Sequence, residues 1–288
     1  MRINISRQSL SDDEKILASR ARELAGRAGY SVVMSDFLSP REQIIFYDAA
    51  ASSGCASSCF FYGGCVLAER RCAVIIPEWM NTDDVKTDAG SIFAPENESF
   101  ICSLIESGAD SGEISGGIKL IRLHGSGYAS LTHRDWLGSV LGLGIKRDVV
   151  GDISVFSDSE AALFASAKIA DFIADSLTHV GRDTVKAEID ESGSLLEIPR
   201  TFRHYETIVQ SLRLDGVVKS LTNLSRSDAA DLVRSGKVEL SYFTETNVDA
   251  EIEPGDIISV HGYGKYIIDR VEGHTKSGKL KLKSRKYI

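Results

Sequence analysis

The chain has 288 residues, of which 43% are hydrophobic and 26% are charged, and its formal net charge at pH 7 is -8. A net negative charge excludes a general polyanion binder of the histone or basic-arm type. The length suits two or three domains with cores of their own.

The sequence has no run of about 18 apolar residues, which a membrane-spanning helix would need. The polar N-terminal stretch, which includes Asp12, Asp13 and Glu14, lacks the apolar core of a signal peptide. The 5 cysteines are an odd number, and their spacings lack paired C-x2-C zinc knuckles. We therefore expect a cytoplasmic protein with reduced thiols, no metal, no cofactor and no membrane partner.

The first region, residues 1–82, reads as a small α/β domain. Ser11 and Glu14 form a capping box that begins a helix from Asp12 to about Ala28. Ser39 followed by Pro40 predicts the start of a second helix, which runs to about Ala51. Apolar runs at residues 60–64 and 73–77 predict strands. Residues 81–98, rich in Asp, Thr, Asn and Glu, predict a linker.

The central region, residues 83–190, shows the order strand, helix, strand, strand, helix, strand between residues 117 and 189. This is the split βαβ order that RNA recognition motif (RRM) domains also use, so we predict an RRM-like shape. Aromatic side chains for base stacking are not evident beyond Phe156. Lys146 and Arg147 follow a glycine-rich segment and are predicted to project as a basic loop that contacts RNA.

The third region, residues 191–288, begins with apolar residues at helical spacing from Leu212 to Leu221. Ser225 is predicted to cap a second short helix, and Gly236 to end it. Val238 to Tyr242 and Ile257 to Val260 predict strands, with Pro254-Gly255 in a turn between them. The whole chain is therefore predicted to be a multi-domain α+β protein.

Basic side chains remain on the solvent side of this helix-helix-strand unit, and such a cluster on a rigid scaffold suits phosphate contacts. The residues are Arg213, Lys219, Arg226, Arg234 and Lys237. Residues 200–288 carry 15 basic and 12 acidic residues, whereas residues 1–199 carry 18 and 29. The alternating segment Lys279 to Lys283 predicts an exposed edge strand with a basic face. The alternative to an RNA contact by this face is that its charges only keep the protein soluble.

Four ordered fragments of this third region resemble the S-four domain, an RNA-binding domain named after a small-subunit ribosomal protein. They begin at Ser211, Leu224, Ser235 and Pro254, within roughly residues 198 to 265. The resemblance implies RNA contacts by Arg213, Arg226, Ser227 and Lys237. It implies weaker ones at Ser241, where the family often has Asn, and at His261, where it often has Arg. Lys265, in the basic tail, is the last candidate for an RNA contact.

Taken together with the Asp36 to Gln43 segment, Gly63-Gly64 and the Leu131 to Ile153 segment, these fragments resemble the YlmH family of bacterial S-four-domain proteins across nearly the whole chain. This resemblance implies a non-catalytic RNA-binding protein that associates with the large ribosomal subunit while it still holds peptidyl-tRNA, and that acts in ribosome quality control. The implied partners are large-subunit rRNA, tRNA and the ribosome, with no DNA expected.

Two other function classes stay open at this stage. Pseudouridine synthases often carry an S-four domain and use an Arg-Leu-Asp motif for a catalytic Asp, which Arg213-Leu214-Asp215 matches. Only the short basic tail follows, however, which leaves no room for their large catalytic domain. A cell-division scaffold that works through protein contacts is the second alternative.

Overall fold

The computed structural model describes residues 10–66, 68–77, 79–80, 101, 117–191, 196–197, 202–274 and 278–287. The chain divides into two compact units, Ser9–Ile198 and a C-terminal unit that contains Pro199–Ile288. The predicted linker and the predicted boundary at residue 82 lie outside the described residues. The division into residues 1–82 and 83–190 therefore stays a prediction.

The first unit begins with two capped helices, α1 (Asp12–Arg27) and α2 (Pro40–Ala51). Ser11 with Glu14 forms the predicted capping box of α1, and Ser39 with Glu42 forms a second one at α2. In each box the serine hydroxyl accepts a backbone N–H, and the glutamate carboxylate accepts the amide of that serine. Both helix starts are thus confirmed.

Short strands follow the helices and pack against them. Strands β1 (Val33–Leu38), β2 (Cys59–Tyr62) and β4 (Arg71–Ile75) form an antiparallel sheet in the order β1-β4-β2. Strand β3 (Cys65–Val66) pairs in parallel with β10 (Leu196–Glu197). The predicted strands near residues 60–64 and 73–77 are confirmed as β2 and β4, whereas β1 was not anticipated.

The central part of this unit has the predicted strand, helix, strand, strand, helix, strand order, with one further two-residue strand before the last one. Strand β5 (Ile118–Gly125) leads to helix α3 (His133–Gly142), strands β6 (Val150–Val155) and β7 (Glu160–Ser166), and helix α4 (Ala167–Ser176). Strands β8 (His179–Val180) and β9 (Asp183–Ile189) complete it. The sheet has the order β6-β7-β5-β9-β8 with antiparallel neighbours.

The C-terminal unit places two short helices on one face of a six-stranded sheet. The helices are α5 (Leu214–Thr222) and α6 (Arg226–Arg234). The sheet has the order β11-β16-β15-β14-β12-β13. Its strands are β11 (Phe202–Val209), β12 (Val238–Leu240), β13 (Phe243–Thr244), β14 (Ile257–Val260), β15 (Gly264–His274) and β16 (Leu280–Tyr287).

The core of the C-terminal unit joins the helices to the sheet. Val217 and Val218 of α5 and Val233 of α6 are fully buried against Ile258 and Leu282 of the sheet. The cap at Ser225, the left-handed Gly236 after α6 and the Pro254-Gly255 turn are confirmed.

The expected edge strand at Lys279 to Lys283 is wrong. Strand β16 lies inside the sheet, paired with β11 on one side and β15 on the other. The alternation of Lys with Leu correctly predicted two different faces, because side chains alternate along a strand, but alternation does not determine which strands lie beside it.

Within the described ranges, no helix is long and apolar enough to cross a membrane. The same ranges contain no cluster of three or more His, Cys, Asp or Glu side chains that could hold a metal ion. Cys55, Cys59 and Cys72 are free thiols. Burial raises the pKa of Cys59 and of Cys72, so both thiols stay protonated near neutral pH.

Candidate nucleic-acid interface

A buried carboxylate lies at the N-terminal end of α5 and binds two arginines. The Asp215 residue is 3% exposed. Its carboxylate accepts hydrogen bonds from Arg213 Nε at 3.2 Å, from Arg226 Nε at 3.1 Å and from the Gly216 amide at 2.8 Å. Because Arg226 is the first residue of α6, this carboxylate ties the starts of the two helices together.

The pKa of Asp215 shows which effect prevails at this position. Burial acts to raise it, but the hydrogen bonds and positive charges of Arg213 and Arg226 outweigh burial, so the pKa lies below its ordinary value. The carboxylate is therefore ionised at neutral pH. A charged, nearly inaccessible carboxylate of this kind fixes the orientation of both guanidinium groups.

The two arginines keep solvent-facing surface despite this anchor. The side chain of Arg213 is 41% exposed and that of Arg226 is 57% exposed. Arg213 also forms an ion pair with Asp249. Planar guanidinium groups held in place at a helix start suit bidentate contact with phosphate, because their orientation is largely fixed before binding.

The start of α6 adds polar groups beside Arg226. The Ser225 hydroxyl accepts the Asp228 amide at 3.1 Å, and Ser227 is exposed with its hydroxyl 2.9 Å from that of Ser225. Amides at a helix start and the positive end of the helix dipole favour an anion at this position. Ser227 therefore lies where the resemblance predicts a contact.

Four other predicted residues are exposed on the C-terminal unit: Lys219, Arg234, Lys237 and His261. The backbone brings two of them together, because the His261 amide donates to the Lys237 carbonyl at 3.0 Å. Arg234 forms an ion pair with Asp231 at 3.1 Å, three residues earlier on α6. Exposed pairs of this type are weak, so they leave the cation available to a phosphate.

Ser241 departs from the expectation of an RNA contact. It is 2% exposed, and its hydroxyl donates to Asp256 at 3.1 Å. Ser241 and Tyr242 both have positive φ angles, 48° and 71°, and form the tight turn between β12 and β13. The hydroxyl faces inward and stabilises this turn, so we do not retain Ser241 as a contact.

Lys265 lies among aromatic rings on the sheet face opposite the helices. Its Nζ atom is 5.0 Å from the ring centre of Tyr242 and 4.7 Å from that of Tyr287. Tyr287 contacts Phe202 at a ring-centre distance of 5.0 Å, and the Arg285 guanidinium lies 4.8 Å from the centre of the Phe202 ring. These contacts stabilise the face of the sheet through cation-π interactions.

Three basic side chains of β16 have acidic partners on the neighbouring strands. Lys281 lies 3.9 Å from Glu206 of β11, Lys283 lies 3.0 Å from Glu272 of β15, and Arg285 lies 2.9 Å from Asp269 of β15. The charge excess seen in the sequence is thus largely compensated across strands. This strand is a weaker candidate for RNA than the helix starts.

The predicted basic loop of the central part contributes one exposed cation. Lys146 is exposed, but Arg147 donates to the carbonyls of Val150 and, at 3.0 Å, Gly151. Burial, together with the nearby Arg70 guanidinium, lowers the pKa of Arg147 to about 10. Arg147 therefore fastens its own loop to the start of β6, which departs from the expected phosphate contact.

One face of the five-stranded sheet is fully covered, and the other is covered in part. Helices α3 and α4 pack over the first face, around Ile121, Leu123 and Leu163. On the second face, Leu120, Ala162 and Phe164 pack against Phe37, Cys65, Ala68 and Cys72 of the N-terminal strands and loops. An RRM-type sheet stacks bases on an open face. The uncovered part of the second face, on β9 and the end of β5, exposes His124, Thr184, Lys186 and Glu188 and no Phe, Tyr or Trp.

Polar contacts also hold the N-terminal loops against the second face of the five-stranded sheet. The Asp152 carboxylate accepts the amides of Glu69 at 2.6 Å and Arg70 at 3.1 Å. A Cβ atom at Gly151 would lie 2.6 Å from the Phe37 ring, and one at Gly64 would lie 2.4 Å from the Phe164 ring. The glycines permit this close approach, so the covering is a packed core and not a loose contact.

Comparisons with known proteins place these observations in a family. Residues 117–192 match the family model described as "Putative RNA-binding domain in YlmH". The "Ribosome-associated protein quality control protein P2" of Bacillus subtilis (strain 168) is 30% identical over 279 residues, which cover 96% of each protein.

A solved structure, "Cell division protein ylmH from Streptococcus pneumoniae", gives a TM-score of 0.45 at 18% identity and covers 64% of this chain and 94% of that one. The likeness to the Bacillus protein extends over nearly the entire length of both sequences. On that likeness, this chain belongs to the YlmH family.

Proposed function

We propose that this protein is a non-catalytic RNA-binding protein that associates with the ribosome and acts in ribosome quality control. The observation that carries the proposal is the buried Asp215 carboxylate, which holds the exposed Arg213 and Arg226 at the starts of two helices. The names of the relative and of the family model support the ribosome and RNA as partners.

In the finer form of the proposal, the C-terminal unit is an S-four domain that contacts large-subunit rRNA and peptidyl-tRNA. Two short helices joined by a tight turn and followed by antiparallel strands support this assignment. The contacts would be to phosphate and sugar, because folded RNA is recognised mainly through its backbone and shape. We assign them to Arg213, Lys219, Arg226 and Ser227, with Arg234, Lys237 and His261 around them.

The central part, in the same proposal, is an RRM-like domain in shape only. Its antiparallel strand order β6-β7-β5-β9 and its two helices on one face support that shape. Because the second face is covered over β7 and the start of β5, and its uncovered part exposes no Phe, Tyr or Trp, the domain would stack bases on its loops and not on its sheet.

The geometry around Asp215 argues against the pseudouridine synthase alternative. A catalytic carboxylate has to reach the base on which it acts. Asp215 is 3% exposed and is bound by two arginines and a backbone amide, so it serves the structure of the helix starts.

Cosedimentation with large ribosomal subunits tests the proposal. The double variant Arg226→Ala, Lys237→Ala is expected to bind roughly tenfold or more weakly, since charge-assisted contacts are lost. The log-log dependence of its affinity on salt should become less steep by about 1.4 to 1.8, which corresponds to two phosphate contacts. Both residues are exposed, and in the variant Asp215 keeps its bonds from Arg213 and from the Gly216 amide, so the fold should be retained.

The double variant Lys281→Ala, Lys283→Ala is the matched control, because it removes the same number of positive charges from the ion-paired strand. It should bind nearly as well as the unchanged protein. Equal losses in the two double variants would show that only net charge matters and would refute the assigned site.

A further inference from the structure

A loop at one end of the five-stranded sheet is held rigid by a buried carboxylate. This loop, residues 125–132, connects β5 to α3. Asp183 is fully buried, and its carboxylate accepts the Ser126 hydroxyl, the Ser126 amide at 3.2 Å and the Ala129 amide at 3.3 Å. The hydrogen bond from the Ser126 hydroxyl, with help from these amides, lowers the pKa of Asp183, so it stays ionised.

The neighbouring loop, residues 156–159 between β6 and β7, is bound to the first one. The Gly125 amide donates to the Ser159 carbonyl at 2.7 Å, and the Leu131 amide donates to the Asp158 carbonyl at 2.8 Å. The Ser130 hydroxyl donates to the Asp158 carboxylate at 2.7 Å. The two loops therefore form one ordered surface, which we call the loop end.

Exposed apolar side chains concentrate on the loop end. Tyr128 is 77% exposed, Phe156 is 43% exposed, and Val155 just before it is 38% exposed. These are three of the eight large hydrophobic side chains that are exposed among the described residues. Scattered single exposed side chains are ordinary, but a concentration on one rigid surface indicates a binding site.

The charges around the loop end are mixed. Arg134 lies in the first turn of α3 and Arg182 in the turn before β9, and both are exposed. Asp158 and Glu160 are exposed beside Phe156. A mixed surface of this kind is unsuited to gripping a phosphate backbone, whereas stacking on an aromatic ring needs little net charge.

We propose that Tyr128 and Phe156 form a stacking site for unpaired RNA bases. This inference rests on the proposed function, and it locates an RNA contact in the part of the chain that matches the RNA-binding family model. The uncovered part of the sheet exposes no Phe, Tyr or Trp, and α4 exposes the single ring of Phe172, so the loop end is the described part of the domain that has two exposed rings. A rigid loop loses little conformational entropy on binding, which favours the contact.

Site-specific crosslinking tests which macromolecule contacts the loop end. Tyr128 is replaced with the photoreactive residue p-benzoylphenylalanine, and Tyr30, which is 87% exposed in the loop after α1, is replaced in a parallel control. Each protein is bound to large subunits that carry peptidyl-tRNA and is irradiated. RNA crosslinks from position 128 and none from position 30 are expected. Crosslinks only to ribosomal protein, or none, would overturn the proposal.

Affinity for the same particles provides the second test. Tyr128→Ala is expected to weaken binding by roughly fivefold to a hundredfold, as expected for the loss of one stacked base, whereas Tyr128→Phe keeps the ring and should retain most of the affinity. Phe156→Ala should act in the same direction. Phe172→Ala, which removes a ring that is 45% exposed on α4, is the matched control and should change nothing.

The outcomes separate this inference from the proposed function. If Tyr128→Ala binds normally while Arg226→Ala, Lys237→Ala binds weakly, the stacking site is refuted and the proposed function stands. If neither variant binds more weakly, both the stacking site and the proposed function are refuted. An equal loss in Phe172→Ala would attribute the effect to general destabilisation and would also refute the stacking site.

Discussion

The two large sheets of this protein are covered in different ways. The five-stranded sheet packs helices on one face and the N-terminal strands and loops on the other. The six-stranded sheet packs α5 and α6 on one face, while its other face carries ion pairs and cation-aromatic contacts such as Lys283 with Glu272 and Lys265 with Tyr287. The covered part of the first sheet, over β7 and the start of β5, is therefore an internal layer, whereas the second sheet has a solvated face.

This difference shows where a ligand can bind in each unit. Neither sheet offers an open row of unoccupied aromatic rings, because the uncovered part of one sheet exposes no Phe, Tyr or Trp and the rings on the other are in contact with cations and with each other. The candidate sites lie instead at helix starts, around Asp215, and in loops, around Asp183. In both places a buried carboxylate orders the local structure: Asp215 binds the two arginine side chains directly, and Asp183 binds the loop that carries Tyr128.

The largest expected effect comes from removing a buried ring that covers the second face of the five-stranded sheet. Phe37 is 1% exposed and packs against the face that carries Ala162 and Phe164. Phe37→Ala should lower the free energy of unfolding of this unit by about 3 to 5 kcal/mol, since a large buried ring is lost and a cavity remains. Urea unfolding followed by the fluorescence of the buried Trp136 measures this effect.

Phe172→Ala is the control for that experiment, because this ring is 45% exposed. Phe172→Ala should change the free energy of unfolding by no more than about 0.5 kcal/mol. A loss below about 1 kcal/mol for Phe37→Ala would show that the second face is only loosely covered, and the contrast between the two sheets would then fail.

The next effect concerns the carboxylate that holds the two arginines. Asp215→Asn keeps the shape but removes the charge, so Arg213 and Arg226 lose their common anchor. We expect a loss of about 1 to 3 kcal/mol in the stability of the C-terminal unit and a weaker affinity for large subunits. Urea unfolding followed by the NMR methyl signals of Val217 and Val233 gives the stability.

The pH dependence of this variant sharpens the test. The folded protein lowers the pKa of Asp215, so its stabilising effect is present above the unfolded pKa of about 3.9 and is lost as the pH falls through the folded pKa. The unchanged protein should therefore lose more stability than Asp215→Asn when the pH falls below about 4. Equal acid sensitivity of the two proteins would contradict the anchoring role.

A smaller effect is expected at the loop end. Asp183→Asn removes the charge that accepts the Ser126 hydroxyl and the amides of Ser126 and Ala129. Hydrogen exchange at those two amides should become faster, while exchange in β7 should change little because this strand is held by pairs on both sides. Unchanged exchange would show that the loop is ordered by its other bonds.

Local signals in the sequence were sufficient for much of the fold. The capping box at Ser11 and the N-cap Ser39 followed by Pro40 predicted both helix starts, since each signal depends on residues within one helical turn. The cap at Ser225 predicted α6 in the same way. Strand β1 was not anticipated because Ser35 and Asp36 interrupt its apolar pattern, and a register shift occurs where it pairs with β4 between Met34 and Phe37.

The candidate site was harder to predict, because its determinants are distant in sequence. The motif located Arg213 and Arg226 but not the bonds of both to Asp215, which depend on how α5 meets α6. The same applies to Ser241, whose hydroxyl is bonded to Asp256, 15 residues away. Tyr128 follows Gly-Ser-Gly after a strand, but the order of its loop depends on Asp183, which lies 57 residues beyond Ser126 in the sequence.

The smallest expected effect comes from the solvated side of the six-stranded sheet. Lys283 and Glu272 lie 3.0 Å apart, with side-chain exposures of 35% and 37%, and Arg270 also contacts Glu272 at 2.7 Å. Since half-exposed ion pairs contribute little, Lys283→Ala should change the Tm by no more than about 2 °C. Contact with Lys283 lowers the pKa of Glu272, so an NMR titration of the variant should show this pKa moving back toward its ordinary value. A large fall in Tm would mean that the cross-strand charges organise the sheet as firmly as the buried carboxylates organise their sites, and the distinction between the two kinds of surface would have to be abandoned.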